Sequence, residues 1–460
     1  MDSEINMTSP STICAVSTAP GKGAVGIIRI SGKDSFSVVG EMVVRHEAYR
    51  NCEPRRMLYT GITDENGKLL DEVMLAKFAS PSSFTGEDMV EIYCHGSEYI
   101  EQQIISALLH FGATLARPGE FTQRAFLNGK MDLSQSEAVA DLISSSTAEA
   151  HRVAMSQLKG QVSTKISELR LKMLELTSLL ELELDFSEED VEFADRSRLV
   201  ALIDEICSEI DRLTASFEYG NAVKSGVPVA IVGEPNAGKS TLLNALLHDD
   251  RAIVSPVAGT TRDTIEEEFI VDGIKFRLID TAGIRKAGNE IEELGIKRTF
   301  EKLKSARIVI LVLDALAHKD VNNQIYNSVS NELSENSKLI VALNKMDLCD
   351  CQCDDTDNKV YISALTGKNI DRLCRMLVDY VKSLKPEATD VIITNMRHVS
   401  ALRTTKSLLL SAKDSISTGV PSDFIAQDLR EANYHLGEIT GAISTDEVLG
   451  SIFSKFCIGK

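Results

Sequence analysis

The amino-acid sequence predicts a multi-domain α/β protein, and three changes of pattern along its 460 residues lead to this prediction. Domains typically hold ~100–200 residues, so the chain is too long for one compact core. Short β-rich runs come first, helical spacing follows, and near-continuous apolar runs interrupt the helical part. We therefore expect a mixed α/β domain at 1–128, a helical bundle formed by 129–222 and 384–460, and a doubly wound α/β domain at 223–383 inserted into that bundle.

The composition limits the classes of protein that this chain can be. A net charge of −19 argues against nonspecific nucleic-acid binding by the whole surface, but it leaves room for a local basic patch or for a partner that supplies one. The segment "MDSEINMTSPST" lacks the basic and apolar regions of a secretory signal, and no apolar stretch reaches the ~20 residues of a membrane span. We expect a cytoplasmic protein that makes no membrane contact.

Nine cysteines are scattered along the chain, with one cluster at Cys349, Cys351 and Cys353. Their alternating spacing differs from the paired spacing of structural zinc sites, and no histidine lies near them. The cluster therefore predicts a reduced surface loop, and the other thiols fit a reducing cytosol.

Glycine and proline separate the β-rich runs of the first domain, which include "VGIIRISG", "LAKFAS", "DMVEIYCHG" and "ATLARPGE". Residues 21–26, "GKGAVG", match the dinucleotide-binding fingerprint, which must open a helix. The strand-like "IIRIS" follows instead. A tight turn between strands is therefore the better interpretation.

The helical pattern begins at Ser134-x-x-Glu137, which has the spacing of a capping box. Apolar residues then recur at intervals of three and four, which predicts the buried face of a helix. These residues are Ile166, Leu169, Met173, Leu176 and Leu180.

The run "VPVAIVG" (227–233) is apolar at nearly every position, which is typical of a strand buried on both faces of a parallel sheet. Similar runs follow in "KFRLID", "RIVILVLD", "KLIVALN" and "KVYISA". The segment "GEPNAGKS" (233–240) joins the first run to the helical pattern "TLLNALL", which is the context of a P-loop. Its backbone N–H groups would cradle phosphate oxygens, Lys239 would reach the β and γ phosphates, and the Ser240 hydroxyl would ligate Mg²⁺.

Two further motifs concern the phosphates and the metal of a Ras-like GTPase. "GTTRD" (259–263) offers a threonine to the metal. "DTAG" (280–283) ends a predicted strand, with Asp280 near the outer metal shell and Gly283 able to sense the γ-phosphate.

The last two motifs concern the base. In "NKMD" (344–347) the Asp347 carboxylate can accept from guanine N1–H and N2–H₂. Because the wrong base would leave buried polar groups unpaired, such a site can favour guanine over another base by ~10⁴ or more. "SAL" (363–365) would add a backbone contact to guanine O6. Five motifs in this order on predicted strand ends predict GTP binding.

One catalytic position differs from Ras-like proteins, in which a glutamine after the "DxxG" motif orients the attacking water. Here that position is Ile284, which has no polar atom. Hydrolysis is then slow, or another group, such as a carboxylate in "GNEIEELG", holds the water. Arg262 and Arg285 are candidates for an arginine finger, and surface ion pairs are the alternative for both.

Together with "GEPNAGKS", "GTTRD" and "DTAGIR", other segments give the chain a family likeness over nearly its whole length. They are "GAVGIIRISG", "SSFTGEDMVEIYCHG", "ARPGEFTQRAFLNGKMDL" and "LGSIFSKFCIGK". On these residues the chain resembles the MnmE (TrmE) family of tRNA modification GTPases.

The resemblance implies a fuller nucleotide site, in which a potassium ion stands where an arginine finger otherwise acts. Its ligands would be Asn236, Thr260 and the backbone carbonyls of Ser255 and Val257. Ser240 and Thr261 would hold Mg²⁺, and Glu292 would orient the water, which fits the apolar Ile284. Asn236, Lys239 and Cys457 join Glu292 as candidate catalytic residues. The implied GTP contacts are Asn236, Ala237, Gly238, Lys239, Ser240, Thr241, Ser255, Pro256, Val257, Ala258, Gly259, Thr260, Thr261, Asp280, Thr281, Ala282, Gly283, Asn344, Lys345, Met346, Asp347, Ser363, Ala364 and Leu365.

For the first domain the resemblance implies a site for a reduced, formylated folate such as 5-formyltetrahydrofolate. The matching positions are Arg29, Glu91, Lys130 and Lys460. The terminal "CIGK" would fold back toward this site and bring Cys457 near the one-carbon chemistry, as a nucleophile or as a packing group. Without the resemblance, Arg29 and Glu91 would be interpreted as a cross-strand ion pair and Lys130 as a surface charge.

The resemblance also implies partners. The family forms homodimers through the first domain and works with an FAD-containing, MnmG-type partner. Together they place a carboxymethylaminomethyl or aminomethyl group on C5 of the wobble uridine of certain tRNAs, and the partner can supply much of the tRNA-binding surface. The alternative is a regulatory GTPase switch of the ribosome-assembly type without covalent RNA chemistry, which the GTPase motifs alone do not exclude.

Overall fold

The computed structural model describes residues 11–185, 196–248, 267–279, 305–334, 337–348, 356, 358–386, 391–418, 420–443, 445–456 and 458–459. The chain divides into two compact units. The first comprises Met1–Ala140, Gln157–Leu171 and Asn433–Lys460, and the second comprises Asp141–Ser156 and Lys172–Ala432. The four domain ranges given by the sequence stay predictions. Within the described part of the chain, no helix has the length and apolar character needed to cross a membrane.

A six-stranded sheet in the order β3-β4-β5-β2-β1-β6 forms the centre of the first unit. Neighbouring strands are antiparallel, except that β1 and β6 are parallel. The strands are β1 (Ile13–Val16), β2 (Val25–Ser31), β3 (Met57–Thr63), β4 (Leu69–Phe78), β5 (Met89–His95) and β6 (Thr114–Leu115). The helices of this part are α1 (Ser35–Met42), α2 (His46–Asn51), α3 (Glu98–His110) and α4 (Glu120–Leu127).

One face of this sheet carries the core of the mixed α/β domain. Alternate residues such as Ile28 and Ile92 are fully buried against α1 and α3, in a cluster that includes Val39 and Ile104. The opposite face is covered only in part, by a smaller cluster of Ile13, Ala15, Ala116 and Phe121. The expected mixed α/β domain is confirmed, and the sequence had not singled out β1 and β3.

The "GKGAVG" segment opens no helix, as expected. Its first four residues belong to the connection 17–24 between β1 and the antiparallel β2, and its last two, Val25 and Gly26, begin β2. This connection is longer than the tight turn that was predicted. Its path is held by a hydrogen bond from the Gly23 N–H to the Gly96 carbonyl at 3.0 Å.

The helical part begins with α5 (Leu133–Ser144), and its capping box differs from the predicted one. The Gln135 N–H donates to Asp132 Oδ1, and the Asp132 N–H donates to Gln135 Oε1, both at 2.9 Å. The predicted Ser134 lies inside the helix and is buried. The prediction was wrong by two residues because "DLSQSE" contains two overlapping segments with this spacing, and aspartate occupies the actual cap.

Other helices of the described residues follow α5, some of them between the strands of the second sheet. They are α6 (Ala148–Leu158), α7 (Gln161–Asp185), α8 (Arg196–Ser225), α9 (Lys239–His248), α10 (Lys319–Asn331), α11 (Ile370–Ser383), α12 (Met396–Thr418), α13 (Ser422–Thr440) and α14 (Asp446–Phe453). The predicted apolar face of α7 is confirmed, since its five residues are at most 1% exposed. In the second unit α8 packs along α12, where the Lys406 ammonium lies 2.6 Å from the Asp211 carboxylate.

The second unit contains a six-stranded sheet in the order β12-β11-β10-β7-β9-β8. Its strands are β7 (Val227–Gly233), β8 (Glu267–Val271), β9 (Ile274–Leu278), β10 (Ile308–Asp314), β11 (Lys338–Asn344) and β12 (Lys359–Tyr361). All neighbours are parallel except β8, which forms an antiparallel hairpin with β9. Along β10, Ile310 belongs to the core on one face and Leu311 to the core on the other. Burial on both faces explains the continuous apolar runs and confirms the doubly wound domain.

Candidate functional site

The nucleotide motifs meet at one edge of the second sheet. The register of the parallel strands sets Gly233 beside Val312 and Asp314 beside Asn344. Because parallel strands end at a common edge, the loops that follow β7, β11 and β12 lie side by side. These loops carry "GEPNAGKS", "NKMD" and "SAL", as the sequence predicted.

The loop after β7 requires glycine at two positions because its neighbours come very close. A Cβ at Gly233 would lie 2.1 Å from the Val312 carbonyl oxygen, and a Cβ at Gly238 would lie 2.1 Å from the Asn344 side-chain nitrogen. Both glycines also have positive φ, at 150° and 96°. Asn236 has φ of 65° and is exposed, a conformation that asparagine tolerates better than most residues. The loop therefore packs closely against the ends of β10 and β11 before α9 begins.

Lys239 is the first residue of α9, and its ammonium lies against this loop. Nζ donates to the carbonyl oxygens of Gly233 at 2.7 Å and Glu234 at 2.6 Å. Burial lowers the pKa of Lys239, and the nearby Glu234 carboxylate opposes that shift. Ser240 and Thr241 follow at the exposed start of the helix. A cation beside a glycine-rich loop and a helix N-terminus is an arrangement suited to phosphates.

Asn344 joins the glycine-rich loop after β7 to the loop after β12. It is 4% exposed, its Nδ2 donates to the Ala237 carbonyl at 2.9 Å, and its Oδ1 accepts from the Ala364 N–H at 2.9 Å. One buried amide thus satisfies a backbone group in each of two loops. Asn344 therefore ties the loop after β7 to the loop after β12.

The remaining "NKMD" residues are held by neighbours outside the motif. Lys345 has φ of 71°, and its ammonium lies 2.6 Å from the Asp314 carboxylate. The Ser363 hydroxyl donates to Asp347 Oδ1 at 2.6 Å and accepts from the Thr366 N–H at 3.2 Å. Asp347 itself is exposed, so its carboxylate is oriented and also accessible to a base.

The other predicted base contacts are also described. Met346 begins a short 3-10 helix, and its N–H donates to the Ile362 carbonyl at 3.1 Å. Ala364 is buried, and Leu365 is 78% exposed. The sequence predicts only a backbone contact for "SAL", and it predicts no role for the Ser363 side chain or for Asp314. The signal for Asp314 was present, because an acid ends the apolar run "RIVILVLD".

Several predicted residues lie outside the described residues, and their placement stays a prediction. They are Ser255, Pro256, Val257, Ala258, Gly259, Thr260, Thr261, Arg262, Asp280, Thr281, Ala282, Gly283, Ile284, Arg285, Glu292, Cys349, Cys351, Cys353, Cys457 and Lys460.

A second group of predicted residues lies on the opposite, partly covered face of the first sheet. Arg29 and Glu91 are cross-strand partners in β2 and β5, with guanidinium and carboxylate 2.8 Å apart. The Tyr93 hydroxyl donates to the other Glu91 oxygen at 2.7 Å; burial and this bond raise the pKa of Tyr93 to about 12. The Arg29 guanidinium also lies 5.3 Å from the ring centre of Phe84 and 5.8 Å from that of Phe121. The ion pair expected without the resemblance is present, inside an aromatic surround that the sequence did not show.

Lys130 and the end of the chain, which are also predicted to bind folate, lie in the same unit. The Lys130 ammonium donates to the Pro81 carbonyl at 3.0 Å and remains exposed. At the end of the chain, the Ser17 hydroxyl donates to the Gly459 carbonyl at 3.2 Å. A Cβ at Gly459 would lie 2.2 Å from the carbonyl oxygen of the last residue of β1. The tail therefore runs against the end of β1, the strand that pairs with the strand of Arg29.

A doubly wound sheet with a P-loop, a buried asparagine and an oriented aspartate at one edge defines a P-loop GTPase domain. The family models for the amino terminus of the GTP-binding protein TrmE and for the MnmE helical domain match residues 12–130 and 133–457. The chain belongs to the MnmE (TrmE) family.

Curated relatives agree with this assignment over the whole length. The chain is 47% identical to the tRNA modification GTPase MnmE of Parabacteroides distasonis, over 98% of this chain and 100% of that protein. It is 46% identical to the protein of the same name from Cytophaga hutchinsonii, over 98% of each chain. Among solved structures it is similar to the G domain of the T. maritima FeoB iron transporter, with 27% identity and a TM-score of 0.25 over 34% of this chain and 98% of that one.

Proposed function

We propose that this protein is a potassium-stimulated GTPase of the cytoplasm whose hydrolysis drives wobble-uridine modification. With an FAD-containing, MnmG-type partner it adds a carboxymethylaminomethyl or aminomethyl group to C5 of uridine 34 in certain tRNAs. The observation that carries the proposal is the pairing of two sites in one chain of this family. One is the nucleotide edge around Lys239, and the other is the Arg29 cluster beside the tail.

The GTPase chemistry assigns a role to each group at the nucleotide edge. Lys239 would bind the β and γ phosphates, and Ser240 with Thr261 would hold Mg²⁺. Ser240 fits that assignment because the residue is exposed at the start of α9, one position after Lys239. Mg²⁺ supplies charge neutralisation of the phosphates when bound. Asp347, oriented by Ser363, would accept from guanine N1–H and N2–H₂.

Potassium would be held by Asn236, Thr260 and the carbonyls of Ser255 and Val257. Asn236 fits a monovalent cation because its exposed amide oxygen is uncharged and its left-handed backbone is part of the loop over the phosphates. The bound cation would neutralise charge that develops on the transferring phosphoryl group. Glu292 would orient the attacking water, since Ile284 cannot.

The folate would occupy the partly covered face around Arg29 and supply the one-carbon unit. Glu91 and Arg29 present an acceptor and a donor side by side, and the partly exposed Phe84 ring lies next to them, whereas the Phe121 ring behind Arg29 is fully buried. This combination suits a flat heterocycle with a polar edge. Lys130 and Lys460 would form ion pairs with the charged groups of the folate, and Cys457 would lie near the transferred carbon.

The same sheet face supports the homodimer. Met57, Tyr59 and Met74 on β3 and β4 are 52%, 50% and 42% exposed. Neighbouring exposed apolar side chains on a sheet face are typical of a surface that pairs with a second chain. The proposed assembly is therefore a homodimer through the first domain, joined by the flavoprotein and tRNA.

A binding experiment tests the proposal against a ribosome-assembly switch, which has no use for folate. We expect 5-formyltetrahydrofolate to bind the purified full-length protein in calorimetry, and Arg29→Met to abolish that binding. Arg56→Met is the matched control, since Arg56 belongs to the same domain and pairs with Glu53 at the surface. Cells that lack the protein should also lose the modified wobble uridines. Absent folate binding together with unchanged wobble nucleosides would favour the switch.

A further inference from the structure

We propose that Asp314 is a positioning residue for guanine recognition, which holds Lys345 and thereby the turn that carries Asp347. It belongs to none of the nucleotide motifs and ends β10, the strand between those of the P-loop and of "NKMD". The inference rests on contacts within the second unit and depends only on guanine-nucleotide binding.

Both carboxylate oxygens of Asp314 are engaged. Oδ1 accepts from the Leu316 N–H at 2.9 Å, which fixes the side-chain rotamer, and Oδ2 accepts from Lys345 Nζ at 2.6 Å. Burial disfavours the charged carboxylate, yet the bonds from Lys345 and Leu316 hold the pKa of Asp314 below its ordinary value. The two side chains are 28% and 31% exposed, so solvent screens this ion pair less than a surface pair.

The backbone explains why Lys345 needs an anchor. Its φ of 71° lies in the left-handed range, where a residue with a Cβ is unfavourable. Asn344 is fixed on one side by its bonds to two loops, and the ion pair with Asp314 fixes the next residue. Asp347 follows two residues later, so the left-handed turn decides where its carboxylate points. Without the ion pair, that turn loses a contact that offsets its strain.

The experiment compares GDP with IDP, because inosine lacks the N2 amino group that Asp347 would bind. In calorimetry with the full-length protein, Asp314→Asn should raise the Kd for GDP about tenfold and the Kd for IDP by less. The preference for GDP over IDP therefore falls. Asp211→Asn is the matched control, since Asp211 pairs with Lys406 at the same 2.6 Å in the helical bundle, and both affinities should stay unchanged.

A purely structural role of Asp314 would lower the melting temperature and leave the GDP to IDP ratio as it is. Unchanged GDP affinity, or equal losses for both nucleotides, would overturn the proposal. If Asp314→Asn does not fold, Asp314→Ser takes its place, because the serine hydroxyl can still accept from the Leu316 N–H.

A double variant tests whether Asp314 acts through Lys345. Lys345→Met removes the ammonium, so adding Asp314→Asn to it should weaken GDP binding no further. Additive losses in the double variant would show that Asp314 acts independently of Lys345, and would refute the inference.

Discussion

Replacing Asn344 with alanine should destabilise the nucleotide domain and weaken GDP binding together. The asparagine is 4% exposed and satisfies two backbone groups, the Ala237 carbonyl and the Ala364 N–H. A buried backbone group left without a partner costs ~1–3 kcal/mol, so the two together cost about 2–6 kcal/mol. For a domain of this size, at about 2–4 °C per kcal/mol, that corresponds to a fall in melting temperature of about 4–24 °C. Scanning calorimetry of the nucleotide-free protein measures it.

The loss of GDP affinity has a separate cause, since Asn344 sets the distance between the phosphate loop and the base loops. Fluorescence titration with labelled GDP should show a Kd raised about tenfold or more, equivalent to ~1.4 kcal/mol. Asn327→Ala, at an exposed position on α10, is the control and should change stability by less than ~0.5 kcal/mol. A variant that melts as the parent does would show that Asn344 does not hold the two loops, and the reasoning would fail.

Three other outcomes are expected. Asp347→Asn should move nucleotide preference from GTP toward xanthosine triphosphate, whose C2 carbonyl can accept from the new amide; unchanged GTP affinity in binding assays would remove Asp347 from the site. GTP hydrolysis should be faster in potassium than in sodium at equal ionic strength, by up to the ~10³–10⁵ that arginine fingers contribute, and Asn236→Ala should lose most of the difference. Equal rates in the two salts would make Arg262 and Arg285 the candidates again. Deleting 457–460 should leave potassium-stimulated hydrolysis nearly intact and abolish wobble-uridine modification, whereas normal nucleoside levels in cells with the truncated protein would show that the tail is dispensable.

The parts of the fold that the sequence predicted are those with a strong, local pattern. The run that forms β10 is apolar because both of its faces are buried. A strand with one face in solvent would instead alternate apolar and polar residues. The edge strand β8 has only a partly buried pattern and was missed, since half-buried edge strands give a weak signal. The capping box was displaced because Asp132 and Ser134 both satisfy the spacing, and only the helix start distinguishes them.

The same distinction holds for the candidate site, where some residues follow from local motifs and others only from strand register. Motifs such as "GEPNAGKS" and "NKMD" name residues whose spacing is set by a ligand, so they can be found from the sequence alone. The groups that orient them are set by strand register, which brings Asp314 of β10 beside Asn344 of β11 although they are thirty residues apart. The same holds in the first unit, where Glu91 meets Arg29 through the pairing of β5 with β2. Register depends on the packing of whole faces, and therefore Asp314 becomes a candidate only once the sheet is known.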